Sequence, residues 1–139
     1  MTTHITDIKQ WFILAVPEPT DKNRAVQIGC HFEEVGEMLR AMSESSHSLD
    51  ALASGYKRHT EVEIDDENLD RTAMIDALCD QIVTAAGVAH MFGMDIEGAL
   101  AEVIRSNNSK FVDGKPVFDA NGKIAKPPTY SKPDLTPFV

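Results

Sequence analysis

Three glutamates lie within five residues of one another, at positions 33, 34 and 37. In a helix they fall at about 0°, 100° and 40° around the axis, so their carboxylates share one face. Apolar residues cover the other side: Ile28, Phe32, Val35, Leu39 and Met42. Like charges this close repel, and a divalent cation would turn the repulsion into attraction. Three carboxylates suit Mg²⁺ or Mn²⁺, although on this segment alone a solvated acidic face is the commoner explanation.

Two aspartates, Asp76 and Asp80, lie four residues apart in the apolar stretch 69–93. The stretch is apolar on nearly all sides, which predicts a buried central helix. A buried carboxylate is costly unless it is paired or binds a metal, although an arginine or a hydroxyl could also satisfy it. Helical bundles form metal sites from carboxylates on facing helices. The two acidic faces together therefore favour a metal centre.

Five helices are predicted to position these side chains. The periodicity places them at residues 5–16, 22–45, 47–58, 69–93 and 96–106. Pro17 ends the first helix, Thr20 or Asp21 caps the second, and Asp95 caps the fifth. Gly36 lies in the middle of the second helix, where glycine is unfavourable, so another helix or a ligand is expected to pass close to it.

The segments outside the helices are polar or rich in turn residues. Residues 59–68 are acidic and predict a loop, while Asp113-Gly114 and Asn121-Gly122 are turn signals. We therefore predict an all-α fold: a four- to five-helix bundle over residues 1–111. An extended, partly hairpin arm over residues 112–139 is expected to pack on the same domain or on a neighbouring subunit.

Composition limits the classes of function. The net charge of −9 argues against nonspecific binding to a nucleic-acid duplex or an anionic membrane surface. Cys30 and Cys79 match neither a zinc spacing nor a disulfide framework. The sequence begins without a signal peptide and has no uninterrupted apolar run of membrane-spanning length, so the expected location is the cytoplasm.

The order of these residues resembles that of the all-α nucleoside triphosphate pyrophosphohydrolases, which include MazG, the phosphoribosyl-ATP pyrophosphohydrolase and the dimeric dUTPases. The likeness covers roughly residues 20–111 and rests on Glu33-Glu34-x-x-Glu37, Asp76-Ala77-Leu78-Cys79-Asp80, Gly93-x-Asp95 and Asn107-x-x-Lys110. The end of the chain looks like the small single-domain MazG-like proteins often encoded by phages, on Lys115-Pro116, Gly122-Lys123 and Pro128-x-Tyr130. A phage-encoded member would act in the host cytoplasm.

The resemblance implies metal-dependent conversion of a (d)NTP to (d)NMP and pyrophosphate, by water attack at the α-phosphorus. It implies Glu34, Glu37 and Asp80 as ligands of Mg²⁺, which Mn²⁺ can replace. Asp76 is a further candidate ligand, because Ala77 stands where the family usually has a glutamate. Glu33 and Glu34 are the candidate catalytic residues, with Glu33 binding a second metal or orienting the attacking water.

The resemblance also implies phosphate-binding residues, namely Asn107, Lys110 and Lys115. A base pocket could be formed by Trp11, Phe12 or Tyr130, for each of which plain packing is the alternative. Members of the family assemble as homodimers or homotetramers. (d)GTP is one candidate substrate within the dNTP pool. The alternatives are a phosphoribosyl-ATP pyrophosphohydrolase-like enzyme and a non-catalytic acidic helical interaction module.

Overall fold

The computed structural model describes residues 3–58, 64–120 and 122–139. Over these residues the fold is all-α, as predicted. The helices are α1 His4–Ala15, α2 Asp21–Ala41, α3 His47–Arg58, α4 Arg71–Met91 and α5 Ile96–Asn108, with a 3-10 turn at Thr136–Phe138. Two isolated antiparallel bridges, Val112 with Lys115 and Phe118 with Ile124, are the β-type pairing recorded among the described residues.

The ends of the helices follow from local hydrogen bonds. The Thr20 hydroxyl accepts a hydrogen bond from the Asn23 backbone, and the Asn23 side chain accepts one from the Thr20 backbone, which forms a capping box at the start of α2. α2 ends at Ala41 rather than near residue 45, because Ser43 has a φ of 63°, in the left-handed region. Asp70 and Asp95 cap α4 and α5 through their carboxylates.

Two predictions fall partly outside the described residues. Positions 59–63 of the loop predicted over 59–68 are not among them, and neither is Asn121 of the Asn121-Gly122 turn. Within the described part of that loop, the Asp65 carboxylate accepts hydrogen bonds from the backbone of Glu67 and Asn68.

The chain forms two compact units. Residues 16–64 and 118–125 make up the first, which we call the α2–α3 unit. Residues 1–15, 65–117 and 126–139 make up the second, which contains α1, α4 and α5 and which we call the α5 unit.

In the α2–α3 unit, the two helices approach closely where α2 has glycines. A Cβ added at Gly29 would lie 2.7 Å from the carbonyl oxygen of Ala53, and one added at Gly36 would lie 3.0 Å from Oδ1 of Asp50. The prediction that another helix passes close to Gly36 is therefore confirmed. The rings of Phe32 and Tyr56 extend the contact, with centroids 5.8 Å apart.

In the α5 unit, α5 contacts α1, α4 and the 3-10 turn. The segment that follows α5 returns along it. The Asp95 backbone N–H donates to the carbonyl of Phe138 at 2.9 Å, and the Asp134 N–H donates to the Glu102 carboxylate at 2.9 Å. Arg105 donates to Ser131 and to the Lys132 carbonyl.

The surface of α4 differs from the prediction. This helix was expected to be buried on nearly all sides, and that expectation is wrong for the chain on its own. Ile75, Val83 and Met91 are 59%, 66% and 81% exposed, and Ala89 is the buried residue of the helix. Apolar composition indicates that burial of a surface is favourable, but it does not identify the segment or molecule that buries it.

Candidate functional site

The three glutamates of α2 occupy different environments. Glu33 lies four residues after Gly29 and three before Gly36, so it shares the side of α2 on which those buried glycines meet α3. Glu33 is half-buried, whereas Glu34 and Glu37 are exposed. The acidic arc predicted from the spacing therefore runs from the edge of the α2–α3 contact out into solvent.

Two lysines hold the carboxylate of Glu33. The ammonium groups of Lys57 and Lys123 both donate to Oε2 of Glu33, the latter at 3.2 Å. The hydrogen bond from Lys57 keeps the pKa of Glu33 below its usual 4.5; burial opposes the shift and Lys123 adds to it. Burial disfavours charged Lys123, but its hydrogen bond and attraction to Glu33 leave its pKa raised.

Neither lysine is predicted from the spacing of residues in the sequence. They are 24 and 90 residues from Glu33 along the chain, beyond any helical spacing. The available signal was the basic pair Lys57-Arg58 in the last turn of α3.

Glu34 and Glu37 offer exposed carboxylates three residues apart on α2. Mg²⁺ in proteins is commonly held by one or two carboxylates together with waters and substrate phosphates, so such a pair has suitable donor chemistry for that ion. Among the described residues, His, Cys, Asp and Glu form no group of three or more that could hold a metal ion.

The predicted aspartates belong to the other unit. Asp76 and Asp80 lie on α4 in the α5 unit and are exposed. The hydroxyl of Thr84 donates to the backbone carbonyl of Asp80 at 2.8 Å, inside the same helix. Each unit by itself thus has part of the predicted ligand set.

Several of the predicted phosphate- and base-binding residues meet in the α5 unit. Lys110 donates through Nζ to Oδ1 of Asn107 at 2.8 Å, and Trp11 donates through Nε1 to the Asn107 carbonyl at 3.0 Å. Nζ of Lys110 lies 5.9 Å from the centre of the Tyr130 ring, and Nζ of Lys126 lies 5.2 Å from it. We call Trp11, Asn107, Lys110 and Tyr130 the Asn107 cluster.

The remaining predicted residues lie at or beyond the edge of this cluster. The Phe12 ring meets Trp11 edge-on at 5.1 Å and is 38% exposed. Phe111, which was not predicted, also packs against Trp11, with ring centroids 5.3 Å apart. Lys115 is exposed and closes a tight turn with Val112 through two backbone hydrogen bonds.

α4 has a second notable property. Of the helices in the described ranges, it is the one that is long and apolar enough to cross a membrane by length and composition. Asp76 and Asp80 both lie inside it.

Comparisons with known proteins returned no match to a protein family, to a curated protein or to a solved structure. The likeness to the all-α pyrophosphohydrolases therefore stays a prediction that rests on the residues quoted above.

Proposed function

We propose that the chain is a metal-dependent nucleoside triphosphate pyrophosphohydrolase, which converts a (d)NTP to (d)NMP and pyrophosphate. The observation that supports this most is the division among the three glutamates of α2. Glu33 is held by two lysines, whereas Glu34 and Glu37 are exposed on the same acidic arc. One carboxylate is thus kept ionised by the protein, and the side chains of the other two are exposed.

In this proposal Glu34 and Glu37 hold Mg²⁺, for which Mn²⁺ can substitute. Asp80 and Asp76, which belong to the α5 unit, are further candidate ligands on the strength of the resemblance. When bound, the ion would neutralise charge on the phosphate oxygens and lower the pKa of water. The donor chemistry of the carboxylates fits this role, because magnesium prefers oxygen ligands.

The other residues act on the water and on the substrate. Glu33, which Lys57 and Lys123 keep ionised, accepts a hydrogen bond from the attacking water. The water oxygen bonds to the α-phosphorus while its proton passes through Glu33 to solvent. The bond from that phosphorus to the bridging oxygen breaks, and pyrophosphate leaves with the electron pair. Asn107 and Lys110 bind phosphate oxygens. The hydrogen bond between their side chains in the Asn107 cluster supports a shared role for them.

The proposal includes self-association through α4, as a homodimer or as a dimer of dimers. Burying a large apolar side chain contributes about 1.5–3 kcal/mol, and several such side chains are exposed on this helix. They are Met74, Ile75, Leu78, Ile82, Val83, Val88 and Met91. A second copy is favoured over a lipid bilayer, because Asp76 and Asp80 would each cost about 2.5–3.5 kcal/mol or more near a membrane centre.

A panel of nucleotides tests the activity. Each NTP and dNTP is incubated with the protein and Mg²⁺, and release of pyrophosphate is measured; phosphoribosyl-ATP is included as a separate substrate. Glu34→Gln and Asp80→Asn are expected to reduce turnover by at least a hundredfold, because each removes a charged metal ligand. Glu44→Gln, an exposed glutamate beyond the end of α2, is the matched control and should retain activity.

The second candidate function is a non-catalytic helical interaction module, and the exposed apolar surface of α4 favours it. It requires self-association or partner binding without dependence on metal. Absence of pyrophosphate release from every nucleotide, with α4-mediated association intact, would reject the hydrolase and support the module.

A further inference from the structure

We infer that a cleft in the α2–α3 unit binds a phosphate group. The cleft has a volume of about 190 Å³ and is lined by Val26 of α2, by Ser54, Lys57 and Arg58 of α3, and by Asp119 and Lys123. This site goes beyond the proposed hydrolase function, since it requires neither a metal nor turnover. It shares no residue with the predicted ligands of the metal.

Charge is the first argument for an anion. Lys57 and Lys123 both donate to one oxygen of Glu33, so a single carboxylate offsets two ammonium groups. Arg58 is exposed and forms no ion pair with the described residues, and it brings a third cation to the same cleft. Among the residues that line the cleft, three are cations (Lys57, Arg58 and Lys123) and one, Asp119, is an anion. Glu33 and Glu34 also attract Lys123 from α2. The lining itself is therefore positive, in a protein whose net charge is −9.

The aspartate in the cleft has a structural task. The carboxylate of Asp119 accepts a hydrogen bond from the backbone N–H of Lys123 at 3.0 Å, and the Asp119 N–H donates to the Lys123 carbonyl at 2.8 Å. These bonds close the turn that carries Lys123. One oxygen of the Asp119 carboxylate is therefore already hydrogen-bonded to the backbone. The lysine is thereby placed beside Glu33 at the cleft.

The donor types match a phosphate oxyanion. An arginine can donate two parallel hydrogen bonds to phosphate oxygens, and lysines add compact positive charge. Ser54 adds a hydroxyl donor from the same helix as Lys57 and Arg58. The charge-assisted donors come from two separate segments, α3 and residues 118–125, so they can approach one anion from two sides.

The size of the cleft limits the ligand. The cleft volume is about 190 Å³. Pockets that enclose a whole small-molecule ligand usually measure about 300–1,000 Å³. The cleft therefore suits orthophosphate, pyrophosphate or the phosphate portion of a larger molecule that extends into solvent.

Calorimetric titration of the full chain tests the inference. The protein is titrated with sodium phosphate and with sodium pyrophosphate, in the presence of EDTA and at constant ionic strength. Arg58→Gln and Lys123→Gln are expected to weaken binding at least tenfold. Lys9→Gln on α1, an exposed lysine in the other unit, removes the same charge and should leave the affinity unchanged.

Comparison of the phosphate and pyrophosphate titrations identifies the kind of phosphate group that binds. Tighter binding of pyrophosphate supports a diphosphate ligand, whereas equal binding supports a single phosphate group. The inference is overturned if wild type binds neither anion, if Arg58→Gln binds as wild type does, or if Lys9→Gln loses as much affinity. Because EDTA removes divalent metal, the result is independent of whether the chain hydrolyses nucleotides. Far-UV circular dichroism verifies the fold of each variant.

Discussion

Among individual residues, Glu102 is a carboxyl that its surroundings hold strongly in the ionised form. Two hydrogen bonds from the Arg105 guanidinium and one from the Asp134 backbone lower its pKa from 4.5 to about 2. The folded state therefore releases this proton more readily than the unfolded state. The resulting stability is complete above the unfolded value and is lost as the pH falls from about 4.5 towards 2.

Replacement of Glu102 by glutamine should remove this pH dependence. In urea unfolding at pH 7, the variant is expected to have a lower free energy of unfolding than wild type. This difference in free energy should narrow as the pH is lowered through 4 to 3. Glu97→Gln, also on α5, serves as the control for loss of one charge. A gap between wild type and Glu102→Gln that is constant across this pH range would contradict the assignment.

Glu33 shows what sequence reasoning can and cannot predict for a side chain. Spacing alone placed Glu33, Glu34 and Glu37 on one arc, because that depends only on helix geometry. It could not predict that Lys57 and Lys123 would hold Glu33, since ion pairs between distant segments depend on the tertiary fold. Asn107 and Lys110 are three residues apart, a spacing at which helical side chains meet, so their contact could be predicted from the sequence.

At the scale of helices, the contact between α2 and α3 depends on the absence of side chains. A Cβ at Gly29 would meet the backbone oxygen of Ala53 and Cγ of Lys57, both at 2.7 Å. The lysine side chain can move, but the helix backbone can yield only by separating α2 from α3.

Gly29→Ala is therefore expected to lower the free energy of unfolding by about 1–3 kcal/mol, as overpacked interfaces do. Gly55→Ala is the matched control, because a Cβ built there meets no atom of another described segment within 4 Å. That substitution should stabilise α3 by up to ~1 kcal/mol, since alanine favours helix more than glycine does. Chemical denaturation of both variants measures the difference, and equal effects would show that the helices can separate freely.

The elements themselves were largely predictable. Thr20 and Asp95 cap their helices as expected, because capping needs only a side-chain oxygen and a backbone N–H nearby. The end of α2 was predicted too late, since the left-handed conformation of Ser43 has no signal in residue type. The cap of α4 by Asp70 was missed, because the helix was predicted to begin at residue 69, which placed Asp70 inside it.

At the scale of the whole molecule, the notable feature is the exposed apolar surface of α4. The proposed self-association predicts that Val83→Lys, at a position 66% exposed, shifts the protein from dimer or tetramer to monomer. A charged ammonium in an apolar interface pays a desolvation cost that a second copy cannot offset. Sedimentation equilibrium over a range of concentrations measures the shift.

Val117→Lys is the control, because that valine is 44% exposed but lies outside the helices. Wild type that remains monomeric at every concentration would disprove the association.

The sequence predicted that α4 should be buried, but it could not tell burial by other helices of the same chain from burial by another molecule. That distinction depends on which helices of the chain reach α4, and burial shows that most of its surface is left open.

The two units are interleaved along the chain: residues 65–117 of the α5 unit separate the two stretches of the α2–α3 unit. A nascent chain leaving the ribosome thus makes α2 and α3 well before Lys123, which links residues 118–125 to Glu33. For that period the early helices lack part of their native contacts, and Glu33 has Lys57 as its one lysine partner. No single cleavage point divides the polypeptide into two fragments that each contain one complete unit.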